Sequence, residues 1–224
     1  MIRFVLPLCL LAAASAAHAQ QSARDPNRPF EIADNSFLVE EAFNQEAGVF
    51  QNILLIQRPH GREWSFEFTQ EWPVRSMRHQ LSVTIPVSQV EAGTRGSIGD
   101  VLLNYRYQLT VEDESGFATS PRISLLIPRD DIGNNWGVQL NLPVSRQFGN
   151  AYVHLNAGVT AEGLGGDEVD PRWHGAGSVI YRAWPMVHLM LETVYRTDEH
   201  ATLNGLEDGW LISPGLRAGI NLKD

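Results

Sequence analysis

The sequence predicts an all-β fold, an antiparallel up-and-down β-barrel of roughly ten strands, from three observations. From about residue 62 onward, apolar and polar residues alternate with period two, which places them on opposite faces of strands. After the N-terminal segment, no stretch reaches the 18 consecutive apolar residues that a membrane-spanning helix needs. Tight turn sequences alternate with longer polar runs between the alternating segments.

Residues 1–19 read as a cleavable signal peptide. Arg3 gives a positive start, Phe4 to Ala14 is an apolar run, and Ala17-His18-Ala19 is an A-x-A cleavage site. Cleavage would remove Cys9, the only cysteine, and move the formal charge from −9 to −10. The mature chain then folds in an oxidising compartment without disulfides or cysteine metal ligands. Its acidic balance argues against nucleic acid as a partner, because that calls for basic patches. Lys223 is the sole lysine, so the cations are almost all arginines, whose planar guanidinium suits confined ion pairs.

Residues 20–48 are expected to form a periplasmic leader before the barrel of residues 49–224. Gln20 to Pro29 is polar. Ser36 to Ala47 mixes Phe37, Leu38, Val39 and Phe43 with Glu40, Glu41 and Glu46, which suits a short amphipathic helix capped by Asn35 or Ser36. That helix would lie at or inside the periplasmic mouth.

Val49 to Arg58 reads as a first strand with no assignable faces. Next, Trp64, Phe66, Phe68 and Trp72 oppose Glu63, Glu67 and Glu71. Further apolar faces are Leu81 to Val87, Val101 to Leu109, Ile123 to Ile127, Trp136 to Val144 and Val153 to Val159. Val179 with Tyr181, Val187 to Tyr195 and Trp210 to Leu222 complete the set. Phe148-Gly149-Asn150 and Ala183-Trp184-Pro185 read as tight turns. Ala161 to Arg172 and Thr197 to Gly209 read as long loops at the opposite end.

Alternation alone does not say which face meets solvent. The signal peptide, the mixed Glu and Arg of the polar faces, and aromatics near strand ends favour lipid outside and a polar lumen inside. Trp64, Trp72, Trp136, Tyr195 and Trp210 are the girdle candidates. Trp64 and Trp72 would stand roughly 20 Å apart along the membrane normal, close to the ~25 Å apolar band. The expected class is therefore a transmembrane barrel of the outer membrane. Its partners would be outer-membrane lipids, the barrel-assembly machinery and a small-molecule solute.

Several fragments, in order, strengthen this reading. Asp34-Asn35-Ser36-Phe37-Leu38-Val39-Glu40-Glu41-Ala42-Phe43-Asn44-Gln45-Glu46 resembles the N-terminal stretch of an outer-membrane family linked to the meta-pathway of phenol degradation. Thr69-Gln70-Glu71-Trp72-Pro73-Val74, Gly99-Asp100 with Asn104-Tyr105-Arg106, and Ile212-Ser213-Pro214-Gly215-Leu216-Arg217 are similar too. The resemblance implies a porin-like channel for hydrophobic or aromatic compounds and supplies no functional residues. It also implies twelve strands. The chain departs from that pattern by stopping at Lys223-Asp224, which suggests a missing last hairpin.

The lumen and constriction candidates are Glu63, Glu67, Glu71, Asp100, Arg106, Arg122, Arg182, Glu192, Arg196 and Arg217. Opposed acidic and basic walls could set solute selectivity; alternatively, paired ions simply fill a narrow interior. His154, His174 and His188 suit hydrogen-bonded interior positions better than catalysis, since no G-x-S-x-G or H-E-x-x-H accompanies them. The acidic runs Asp130-Asp131, Asp167-Glu168, Asp170 and Glu207-Asp208 lack the spacing of a calcium loop. No cofactor and no enzymatic activity are expected. Passive passage is the leading function; a non-transporting surface barrel and an outer-leaflet lipid-modifying enzyme are the alternatives.

Overall fold

The computed structural model describes residues 36–45, 47–57, 65–88, 97–129, 136–164, 169–202 and 205–219. The expected signal peptide, Glu63, Trp64 and the Asp130-Asp131 and Asp167-Glu168 runs lie outside these residues. The first strands are β1 (Gln51–Gln57), β2 (Ser65–Val74), β3 (Ser76–Ser88), β4 (Ser97–Ile98) and β5 (Val101–Tyr107). A four-residue helix α1 (Glu112–Ser115) and β6 (Ala118–Thr119) precede β7 (Arg122–Ile127). The long strands follow: β8 (Trp136–Phe148), β9 (Ala151–Leu164), β10 (Asp170–Trp184), β11 (Val187–Thr202) and β12 (Gly205–Ala218).

All the pairings are antiparallel, in the order β1-β2-β3-β5-β7-β8-β9-β10-β11-β12, with β4 on β3 and β6 on β8 as side pairings. The ten strands of this path correspond to the nine that alternation predicts and the faceless first strand at Val49 to Arg58. Cross-strand partners on one face are apolar on both sides, as in Phe66↔Val87, Phe68↔Ile85 and Trp72↔Leu81. Such pairs are what stabilise a ladder.

Two expectations about connections need correction. Ala161 to Arg172 is mostly strand, because β9 runs to Leu164 and β10 begins at Asp170. Thr197 to Gly209 is likewise mostly strand, since β11 reaches Thr202 and β12 begins at Gly205. Gly and acidic residues misled the reading there. A ladder is made by backbone groups, so polar residues and glycines do not prevent it. Conversely, the link from β5 to β7 is long and holds α1 and β6, at the end where only tight turns were expected. The short turns at that end are Arg75 alone, Gly149-Asn150 and Pro185-Met186. Gly149 takes the left-handed φ of 60° that a two-residue hairpin asks of its first position.

The usual burial rule is inverted. On β11, Leu189 and Leu191 are 48% and 54% exposed, whereas His188 and Glu192 are 0% and 2% exposed. Gln80, Asn104, Ser124, Asn141, Ser145, His154 and Ser178 are also buried, while Leu140, Leu142, Leu155, Ile212 and Leu216 are exposed. Polar side chains make up most of the inside of this sheet, with Leu126, Ile180, Met190 and Val194 among them, and apolar ones dominate its outside.

The sheet is strongly curled. Leu55 of β1 and Arg196 of β11 line one cavity of about 210 Å³. Eight ladder steps separate these strands, roughly 38 Å in a flat sheet. The two edges therefore approach each other. Among the described residues no backbone ladder joins β1 to β12, so the sheet is curled but not closed.

Of the aromatic candidates, Trp136 and Trp210 are exposed on the outer face and Trp72 is half-exposed. Tyr195 packs against Trp210 with ring centroids 4.9 Å apart. Trp173 and Trp184 belong with them, at 61% and 65% exposure. Alternation alone would turn Trp184 inward. A register shift between Arg182 and Trp184 flips it outward. Trp173 and Trp184 then stand near opposite ends of β10, roughly 28 Å apart along the axis for a tilt near 40°.

Candidate functional site: the polar interior and its N-terminal occupant

The interior is occupied by residues 36–45, and these are not helical. This corrects the expected amphipathic helix. The physical reason is that the backbone N–H groups find partners on the surrounding strands instead of on the segment itself. Phe37 and Leu38 donate to Glu192 Oε1 at 2.9 and 3.1 Å. Glu40 N–H donates to Asn156 Oδ1 at 2.8 Å, and Asn156 Nδ2 returns a bond to the Glu40 carbonyl at 2.7 Å. Ala42 N–H donates to Ser145 Oγ at 2.9 Å. Asn44 and Gln45 donate to Gln108 Oε1 and Gln80 Oε1 at 3.0 and 2.7 Å.

The segment crosses the interior in order. Ser36 bonds Ser178 of β10, and the Phe37 ring lies 4.9 Å beneath the Arg217 guanidinium of β12. Gln45, at the other end, bonds Gln51 of β1 and reaches Glu71 of β2 at 3.4 Å. In between, Arg106 of β5 and Gln108 just after it donate to the Phe43 and Ala42 carbonyls at 2.9 and 2.7 Å. Every strand of the ten-strand path touches residues 36–45 through at least one inward side chain, β7 doing so through Arg122.

Glu40 is the centre of this arrangement. One carboxylate oxygen takes a bond from Arg106, and Arg122 Nε donates to both oxygens at 3.0 and 2.9 Å. Asn141 Nδ2 adds a fourth bond at 2.6 Å. Arg106 and Arg122 are direct cross-strand partners, as are Arg122 and Asn141. Burial alone would push the Glu40 carboxyl up. The charges of Arg106 and Arg122, with hydrogen bonds from Asn141 and Arg106, outweigh it and hold the pKa down to about 2. Arg122 is held in turn by Asn104 Oδ1 and Gln139 Oε1, each at 2.9 Å, and by Ser124.

The other candidates distribute as follows. Glu67 and Arg196 line the cavity, Glu71 is buried beside Gln45, and Glu192 caps the start of the segment. Arg182 lies 5.3 Å over the Tyr152 ring and bonds its hydroxyl, near the Pro185-Met186 turn. Asp100 departs from expectation: it sits in the Gly99-Asp100 link and does not line the cavity. Of the histidines, His154 Nδ1 pairs with Ser145 Oγ at 2.8 Å and His174 Nε2 with Asn141 Oδ1 at 3.2 Å. His188 is wholly buried opposite Arg182. Among the described residues, no group of three metal-ligating side chains occurs.

Sequence reasoning missed Glu40, Gln80, Gln108, Asn141, Ser145 and Asn156 as a set. The inward polar positions were legible from alternation. That they would bond a segment before the first strand was not, because such partners have no periodic signature.

Beside the segment is an open cavity of about 890 Å³. Arg106, Arg122, Asn141 and Glu40 line it, together with Ile53, Leu55, Leu102 and Leu126. Ile53 and Leu55 pair with Thr69 and Glu67, so they face inward. This explains why β1 showed no face: it is apolar on both. Compared with models of known protein families and with curated proteins, the chain matches none.

Proposed function

We propose that this protein is an exported outer-membrane β-barrel of porin-like kind that lets small, apolar or aromatic molecules cross, and that its N-terminal segment plugs the passage. The observation that carries the reading is the inverted burial. A soluble sheet with that many exposed Leu, Ile and Trp side chains would aggregate, whereas hydrocarbon accepts them. No helix among the described residues is long and apolar enough to cross a membrane. In lipid the β1 and β12 edges must find partners, since unpaired backbone there costs several kcal/mol per group.

Passage is tested by single-channel recording in planar bilayers. The expected result is rare openings for the full chain and frequent steps after Glu40→Ala frees the segment. Absence of steps from both proteins would end the passage reading. It would favour a surface barrel that transports nothing, for which residues 36–45 spanning the interior are the supporting observation. The outer-leaflet enzyme gains a Ser145–His154 pair, but both side chains face the interior and Ser145 also takes the Ala42 N–H.

A further inference from the structure

Arg106, which is buried, and Arg122, whose side chain is 15% exposed, are cations placed directly opposite each other on neighbouring strands. Like charges in that position repel, and burial makes the repulsion costly. The carboxylate bonded to both is supplied by Glu40 of the segment, which is seated among the strands by non-covalent contacts. The groups that grip it, two guanidiniums and the Asn141 amide, all belong to the wall. Two inward positions further along the same two strands, Leu102 pairs with Leu126. That apolar pair lies about 13 Å from the arginines, in the same cavity.

We propose that Arg106, Arg122 and Asn141 form a receptor site for a small organic carboxylate with an apolar body. Glu40 occupies this site in cis, and the incoming carboxylate displaces it and loosens the segment. The carboxylate takes the fork geometry that arginine offers to paired oxygens. The apolar body extends towards Leu102 and Leu126. The idea rests on the passage reading only for how the ligand reaches the cavity.

The probe is 4-phenylbutyrate, with its primary amide as the uncharged control and inorganic phosphate as the ionic one. Binding is measured by titration calorimetry on the full chain in detergent micelles. Glu40→Gln removes the internal competitor's charge and keeps its shape. This variant is expected to bind 4-phenylbutyrate at least tenfold more tightly than the unsubstituted chain, and adding Arg122→Gln should abolish the gain. Neither control ligand should bind comparably.

In a second measurement, Val39→Cys, with Cys9→Ser so that it is the only thiol, reports segment release by maleimide labelling. Labelling should rise at least fivefold with 4-phenylbutyrate and stay level with the amide or phosphate. A gain below threefold in the first measurement overturns the proposal. So does unchanged labelling in the second, which stands even if Glu40→Gln does not fold, and so does an equal response to a control ligand. A chain that binds the carboxylate without channel steps keeps the site and loses the passage reading. A conducting chain that ignores it does the reverse.

Discussion

Along β11, neighbouring side chains live in opposite surroundings. Leu189 and Leu191 stand exposed on the outer face; His188, Met190, Glu192 and Val194 are buried on the inner one. In a water-soluble sandwich the burial would be reversed. The contrast teaches that the fold is stabilised from within by polar satisfaction. Thr69 bonds Thr84, Asn104 bonds Ser82, and Gln139 bonds Thr160, each at or under 3.1 Å across adjacent strands. The outer face contributes by matching its surroundings, not by packing into a core.

The contrast is broken most severely by removing the inner anion. Glu40→Ala takes the bonded carboxylate from the buried Arg106 and the largely buried Arg122 while the segment stays in place, a penalty of about 3–5 kcal/mol. The segment should therefore undock, and labelling of Val39→Cys should approach that of an unfolded control. Labelling as slow as in the parent would show that the carboxylate does not hold the segment.

Acid should act on the same group. The Glu40 pKa is lowered from 4.5 to about 2 on docking. A depressed carboxylate stabilises the docked state fully above the ordinary value and progressively less as pH falls towards the lowered one. On the order of 3 kcal/mol of docking stability should disappear across that window. Hydrogen-exchange protection of residues 37–45, corrected for intrinsic rates, should fall between pH 5 and pH 2. Constant protection would place the energy elsewhere.

The outer face is challenged by Leu191→Arg. In lipid vesicles a cation near the bilayer midplane costs about 2–4 kcal/mol. Denaturant unfolding of the vesicle-inserted protein reads this directly. A change within about 0.5 kcal/mol, as for an ordinary water-exposed site, would mean that this face meets water. The smallest effect sharpens the inner side. Ser145→Ala removes the acceptor of the Ala42 N–H and the partner of His154. It should cost about 1–2 kcal/mol and speed exchange of the Ala42 amide without releasing Gln45.

The strands were legible in sequence because the period-two pattern is imposed by geometry at every residue. Val101 to Leu109 shows it with Leu102 as its one break, and Trp136 to Val144 keeps an apolar residue at every second position. Trp184 was not legible, because one extra residue in a bulge resets the parity and leaves no compositional trace. The β1 faces were hidden by Ile53 and Leu55, apolar residues that line the cavity. Arg106, Arg122 and Glu192 were recognised as inward, yet their partner was sought across the lumen among other strands. It came from residues 36–45, whose mixed composition imitates an amphipathic helix. The helix lost because Glu192, Asn156, Ser145 and Gln80 offer its N–H groups acceptors at every turn of the path.

The occupant of the interior is made before β1, yet Phe37 lies under Arg217 of β12, the last strand among the described residues. Contacts separated by nearly the whole chain carry a heavy loop-closure cost and form late. The earliest of these residues to be synthesised is thus the last to settle. Until β12 arrives, Arg106 and Arg122 must stay hydrated, and the half-built sheet holds an open, wet trough. Docking of residues 36–45 then marks completion: a sheet missing β12 cannot seat Phe37 and leaves residues 36–45 loose, open to a protease.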